Sequence, residues 1–401
     1  MRSRTGTGVL TVLVVLLVAL LLGGCAKQPT TSAPGGEPAK PVELSGEPYV
    51  IGAIFAITGD ASSLGIPERN TAEMLQKMIN GNGGIGGRPL EIKIEDTKGE
   101  PAETLTAAKR LVEGENVLAV VGPSRTGTTL AIVDYMGKSE VPLISCAAGI
   151  QIVEPARKWV FKTPQSDRLA VEKIIEYLKA KNMTKVASLS DNTGFGKSGR
   201  AEIEKLMPAA GIKVVTYEEY GPKDTTVETQ LTKIKGTDAQ AVVCWGTPPG
   251  PAIVAKNMKQ LAITIPLVCS HGVANATFLN IAGDAANGVV LPAGRLLVRD
   301  QIPADNPQAP VLNEYAEKYQ AEFGKSADTF GGHAWDAIQL AAQALREVGP
   351  DRAAIRDYIE QKQDFVGTGG VFNFSPEDHN GLTKDAFVMV EVSDGKWKLA
   401  E

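Results

Sequence analysis

From Tyr49 onward, short apolar runs alternate with longer stretches whose apolar positions recur every three to four residues. Tyr49–Ala56 (YVIGAIFA), Leu90–Glu95, Val117–Val121 and Pro142–Ser145 read as buried strands, and Ile66–Asn80, Ala102–Glu113 and Thr128–Ser139 carry the helical period between them. The alternation then restarts. Helices are expected at Ala170–Lys181, Ala201–Ala210, Thr226–Ile234 and Pro251–Gln260, and strands at Lys185–Ser190, Lys213–Tyr217, Ala241–Trp245 and Ile265–Cys269. Strands spaced by helical stretches of roughly 10–15 residues imply βαβ units and parallel sheets. Two such runs in succession predict an α/β chain of two doubly wound parallel-sheet lobes. Ligands of open α/β sheets bind outside the carboxyl ends of the strands. Attention therefore falls on Gly122–Gly127, Ser145–Gly149, Asp191–Gly196, Trp245–Pro248 and Ser270–Gly272.

The first 47 residues follow another pattern. Arg2 and Arg4 precede a run, Val9–Leu22, that is apolar apart from Thr11 and ends in Leu22-Gly23-Gly24-Cys25. A basic start, an apolar centre and small residues at a cleavage point make 1–24 a signal peptide. The apolar run falls short of the ~20 residues that a spanning helix needs. Leu-Gly-Gly-Cys resembles a lipobox, so Cys25 is expected to carry diacyl lipid and anchor the exported chain to a membrane at the periplasmic or extracellular face. Residues 25–47 are poor in large apolar side chains and read as a flexible tether.

Composition narrows the possibilities further. About 350 remaining residues exceed one ordinary core and suggest two domains. The formal net charge of −5, with both signs interspersed, argues against nucleic acid as a partner. With Cys25 lipidated, Cys146, Cys244 and Cys269 remain, an odd set that leaves at least one free thiol. Cys244 and Cys269 end consecutive strands. They are either a strained disulfide or two buried thiols.

Two glycine patterns tempt. Gly81–Gly86 follows a helix and precedes a strand, which inverts the dinucleotide context and suits a helix cap and turn. Gly194–Gly199 opens a helix, but Asp191, Asn192 and Thr193 separate its first glycine from the strand, too far for a tight phosphate turn. A P-loop would need glycine where Asp191 stands. The 3 histidines form no H-E-x-x-H, there is no C-x-x-C and no G-x-S-x-G, so neither an enzyme, a metal nor a cofactor is expected.

Several segments in order resemble the type I periplasmic binding proteins of the leucine/isoleucine/valine class. They are Ile57-Thr58-Gly59 with Leu64-Gly65, Asn80–Gly87, Val121-Gly122-Pro123-Ser124, Val141–Ser145, Gly272-Val273-Ala274-Asn275 and Asn280-Ile281-Ala282-Gly283. The resemblance spans Pro48 to Glu401. It implies two lobes joined by three crossings, expected near Lys162–Ser166, Gly288–Gly294 and Gly367–Phe374. The lobes would be 48–163 with 292–366 and 164–291 with 367–401. It further implies a monomeric receptor whose closed form is recognised by an ABC permease. The same fold serving as a ligand sensor for a signalling receptor is the alternative.

Carried over position by position, the ligand's carboxylate site falls at Ser124, Arg125, Thr126 and Gly127, with Ala147, Ala148 and Gly149 from the next strand end. N–H groups at a helix start favour an anion independently of any resemblance, although Ser124 and Thr126 equally suit plain capping. Thr126 stands where the family uses a hydroxyl, and Gly149 replaces a second one. The family's aromatic hydroxyls fall on Leu64, Phe195 and Pro248, beside Thr247. Where an amino-acid binder of this class has a carboxylate for the α-ammonium, this chain has His271. A buried ammonium without that partner loses a bond worth ~1.5–3 kcal/mol. Two readings follow: an aromatic or organic acid without an amine, or an amino acid whose amine is taken by another acid such as Asp191. His333 and Trp335 are expected as core and cap residues.

Overall fold

The computed structural model describes residues 44–400, so the expected signal peptide, Cys25 and most of the tether lie outside the described residues. Among those described, no helix is long and apolar enough to cross a membrane.

Two sheets organise the chain. The first is wholly parallel, in the order β2-β1-β3-β4-β5, from Tyr49–Phe55 (β1), Leu90–Asp96 (β2), Val120–Val121 (β3), Leu143–Ser145 (β4) and Val160–Lys162 (β5). Its inner strands are buried on both faces, which is why they read as continuous apolar runs, whereas the edge strand β2 is half-buried and alternates with charged residues. The helices Ser62–Gly81 and Thr329–Val348 form a core on one face, and Pro101–Lys109 and Val133–Ser139 on the other. The second sheet runs β14-β13-β10-β9-β8-β6-β7. It contains Lys185–Asp191 (β6), Lys213–Tyr220 (β7), Ala241–Trp245 (β8), Leu267–Cys269 (β9) and Val290–Ala293 (β10). Its edge differs from the all-parallel expectation: Val388–Ser393 (β13) and Lys396–Leu399 (β14) are antiparallel, joined by a tight turn at Asp394-Gly395.

The chain passes between the lobes three times, the first time from Lys162 to the helix Asp167–Ala180. The other two crossings lie later than expected. Val290–Ala293 is still a strand of the second sheet, so the second passage follows Ala293. Phe372, Phe374, Leu382 and Ala386 remain in the first core, and Phe387 is the first residue packed in the second. The glycines at 367–370 had suggested a hinge. They instead turn a hairpin between Phe365–Val366 (β11) and Val371–Phe372 (β12), whose Thr368 and Gly369 N–H groups donate to buried Asp336.

One expected helix is two. Thr128–Ser139 divides into Thr126–Leu130 and Val133–Ser139, because Ala131 and Ile132 leave the helical hydrogen-bond pattern. The consequence falls on the site, where a five-residue helix has little macrodipole to offer.

Candidate ligand-binding site

The first-lobe wall is built at the ends of β3 and β4. Gly122 turns the chain with φ +88°, and a Cβ there would meet the Ile54 carbonyl oxygen at 2.2 Å. This close turn brings Ser124, Arg125 and Thr126 over the strand ends. Their hydroxyls and those nearby are already engaged. Ser124 Oγ accepts from the Ala56 N–H at 3.0 Å and is bonded to Glu68. Thr126 Oγ1 accepts from the Gly149 N–H at 3.2 Å. Ser145 Oγ accepts from the Ala147 N–H at 3.1 Å and pairs with Thr129. No acceptor for the N–H groups of Thr126 and Ala148 is found among the described residues. Free main-chain donors, rather than a long helix's field or a serine hydroxyl, are what this wall offers an anion. Glu68, fully buried behind the wall, has its carboxyl pushed well above the usual carboxylate range by desolvation.

The second-lobe wall is built at the ends of β6, β8 and β9. His271 is enclosed by Phe195, Trp245 and Phe387, with ring centroids 5.5, 5.9 and 5.3 Å away. Burial and the positive charge of Lys162 push its pKa down to about 3, so the ring is neutral. Asp167, the first residue of the helix after the first crossing, has Oδ1 3.9 Å from His271 Nε2, and burial pushes its carboxyl up. Asp191, the alternative acid for an amine, is not among the residues that line the cavity between the walls, and its Oδ1 accepts from the Thr193 N–H and hydroxyl at 3.0 and 2.5 Å.

Between the walls lies a cavity lined from both lobes. Of the residues expected there, Leu64, Ser124, Arg125, Thr126, Ala147, Ala148, Phe195, Thr247 and His271 line it. Gly127, Gly149 and Pro248 do not. Gly149 lies beneath Thr126, where a Cβ would meet Thr126 Cγ2 at 2.3 Å, so its glycine seats the threonine. Pro248 turns away into the helix Gly250–Gln260. Cys146, Thr193 and Gly272 also line it, from strand-end loops that were singled out but without a role for these residues, and Pro164, Phe330 and His333 were missed. His333 is buried as expected but also faces the cavity, whereas Trp335 belongs to the first core. Its signal was the preceding Gly331-Gly332 pair: a Cβ on Gly331 would meet the Tyr315 hydroxyl at 2.1 Å, so these glycines bring the helix start close enough to present an imidazole.

The lobes touch at the cleft. A Cβ on Gly194 would lie 2.8 Å from Gly127 Cα across the gap, which accounts for the first glycine of the dinucleotide-like pattern. Gly199 of the same pattern admits the Trp245 indole. Ser198 donates to Gln151 at 2.5 Å, and Arg168 makes a bidentate pair with Glu154, both bonds 2.6 Å, while also meeting Glu202. Cys244 and Cys269 are direct partners on parallel strands and are buried free thiols. Among the described residues, no cluster of metal-ligating side chains is found.

Residues 48–396 match the family model described as periplasmic binding protein. The Leu/Ile/Val-binding protein homolog 3 of Brucella melitensis is 24% identical over 351 residues, 86% of this chain and 92% of that one. The leucine-, isoleucine-, valine-, threonine- and alanine-binding protein of Pseudomonas aeruginosa is 25% identical over 306 residues, 74% of this chain and 79% of that one. Among solved structures, an extracellular ligand-binding receptor from Rhodopseudomonas palustris superimposes with a TM-score of 0.84 at 26% identity, covering 88% of this chain and 100% of that one. The branched-chain amino acid transporter substrate binding protein of Streptococcus pneumoniae, in complex with isoleucine, gives 0.79 at 26% identity over 88% and 99%.

Proposed function

Because this chain belongs to the periplasmic binding protein family, in its type I leucine/isoleucine/valine-binding class, we propose that it is the exported, lipid-anchored receptor of an ABC importer, binding a small carboxylic acid in the cleft between its lobes. One observation carries the reading: a single cavity takes its lining from both lobes, so a solute seated there stabilises the closed form that a permease can recognise. Its carboxylate would be met by the free N–H groups of Thr126 and Ala148, with Arg125 at the cleft mouth in an ion pair with Asp60. Leu64, Phe195 and Phe330 supply an apolar lining for the body. The relatives named for branched-chain amino acids support a small carboxylate. At the second wall the neutral His271 favours an aromatic or organic acid over an amino acid, since an ammonium there would meet a neutral ring, with Asp167 behind it already beside Lys162.

A thermal-shift comparison tests this. A solute present at 100 times its Kd stabilises the fold by about 2.7 kcal/mol. Aromatic and short organic acids should raise the melting temperature more than leucine or isoleucine does. Dominance of leucine would overturn the amine-free reading and leave the receptor role standing. Anchoring has its own test: Cys25→Ala should move the protein from the membrane fraction to the soluble one.

A further inference from the structure

Two imidazoles face the cavity from opposite lobes, and three of their nitrogens have no protein partner. His271 and His333 are 7% and 3% exposed, and both line the cavity. Neither His271 Nδ1, His271 Nε2 nor His333 Nδ1 finds a hydrogen-bond partner among the described residues. Behind them sit Asp167, fully buried with neither oxygen bonded, and Lys162, whose Nζ donates to the Pro164 carbonyl at 2.6 Å and to Asn380 at 3.3 Å. Buried polar atoms left unsatisfied are uncommon in folded proteins, and three converging on one small cavity point to a ligand group that completes them.

The chemistry of that group follows from the charges. Burial and Lys162 hold both imidazoles neutral, each with a pKa pushed down to about 3. A neutral imidazole offers one donor and one acceptor. An ammonium brings three donors and a positive charge, and would meet the same Lys162 that keeps the imidazoles unprotonated. A second carboxylate would face Asp167. An uncharged oxygen suits the pair: an oxo group accepts from an imidazole N–H, and a hydroxyl can accept from one ring and donate to the other. The rest of the lining there, Leu64, Phe195 and Phe330, is apolar.

We propose that the solute is an oxo- or hydroxy-carboxylic acid with a compact apolar body, its uncharged oxygen received by His271 and His333 while its carboxylate rests at the Thr126 wall. The assignment rests on the carboxylate-receptor reading above. The pair acts as a specificity filter, since a site built to hydrogen-bond an oxygen rejects the analogue lacking it.

The test holds the carbon frame constant and varies one substituent. The whole chain, purified in mild detergent, is titrated calorimetrically with 4-methyl-2-oxopentanoate, 2-hydroxy-4-methylpentanoate, leucine and 4-methylpentanoate, and then with the corresponding 3-phenylpropanoate series. The oxo or hydroxy acid should bind at least about tenfold more tightly than the unsubstituted acid of its frame, and more tightly than the amino acid. An amino acid binding most tightly, or an unsubstituted acid equalling its oxygenated analogue, overturns the inference and leaves a carboxylate receptor in place. Failure of every acid in both frames overturns both readings. His271→Phe should erase the preference for the oxygenated acid. Should that variant not fold, His271→Glu supplies a carboxylate at the same point and should turn the ranking toward leucine. Persistence of the wild-type ranking in a folded variant also overturns the assignment.

Discussion

The two walls of the cleft solve different problems. On the first-lobe wall the hydroxyls of Ser124, Thr126, Thr129 and Ser145 are bonded within the lobe, and the loop is locked in place with its N–H groups facing outward. On the second, polar atoms are left over: both nitrogens of His271 at the surface, and beneath it Trp245 Nε1, the Tyr220 hydroxyl and Ser190 Oγ. A wall made of backbone donors grips any carboxylate and changes little with side-chain identity. A wall made of side chains discriminates, and one substitution such as His271 can redirect it. General affinity thus rests on the strand-end loops of the first lobe, and specificity on His271 of the second lobe together with His333 of the first, which closure brings together.

The largest expected effect on binding breaks the meeting of the walls. In Gly194→Val the new side chain would press on Gly127, so the lobes could not close fully. Binding of the preferred acid should weaken at least about a hundredfold, roughly 2.7 kcal/mol, with the melting temperature of the unliganded protein little changed. Unaltered affinity by calorimetry would show that this contact is not part of closure. Next comes the support of the first wall. Glu68→Ala removes the buried acid behind Ser124 and should cost about 3 kcal/mol in chemical denaturation, whereas Glu68→Gln, which keeps the shape and a hydrogen bond, should cost about 1 kcal/mol. The wild type should also lose stability as pH rises above the ordinary carboxylate range. Burial raises Glu68 well above its usual value and Asp328 to about 7, so the folded state binds more protons than the unfolded one. Glu68→Gln should flatten that alkaline slope, and an unchanged slope would exclude Glu68 as its source.

The second wall answers to acid instead. His271 titrates at about 3 when folded against 6.5 as a model side chain, so its contribution to stability is lost as pH falls from 6.5 toward 3. By pH 5 the penalty is about 2 kcal/mol. His271→Phe should remove that share of the acid sensitivity, read as a smaller drop in denaturation midpoint between pH 7 and pH 5. Smallest is the link between the lobes at the rim. Arg168→Ala breaks a part-exposed bidentate pair with Glu154 and should weaken ligand binding by about 0.5–1 kcal/mol, an effect that shrinks in high salt. A salt-independent loss would mean that Arg168 acts through packing.

Much of this was legible before any coordinates. Most strands of both lobes up to Cys269 stood out because a strand buried on both faces is apolar throughout, although the short Val160–Lys162 was missed, and the strand-end loops followed from the sheet's own geometry. The third passage between lobes was misplaced because glycine marks any sharp turn. At 367–370 it serves a hairpin around Asp336, and the real passage near Ala386 and Phe387 has no glycine to announce it. His333 was taken for core alone because its burial is real. That one edge also meets a cavity depends on a helix packing against Ser62–Gly81, far away in the chain. Asp167 looked like an ordinary residue at a helix start.

Local periodicity was enough to determine the two α/β lobes, and the resemblance of short motifs pointed to the family and to the replacement of an acid by His271, since these depend on neighbours a few residues apart. Only the tertiary structure decided that Ser124 and Thr126 spend their hydroxyls inside the lobe, that Gly194 meets Gly127, and that His271 and His333 share one cavity with Asp167 and Lys162 behind them. Those outcomes are set by close packing between segments remote in sequence. Whether a polar atom is satisfied depends on what packing places within 3.5 Å of it, and no periodicity along the chain records that.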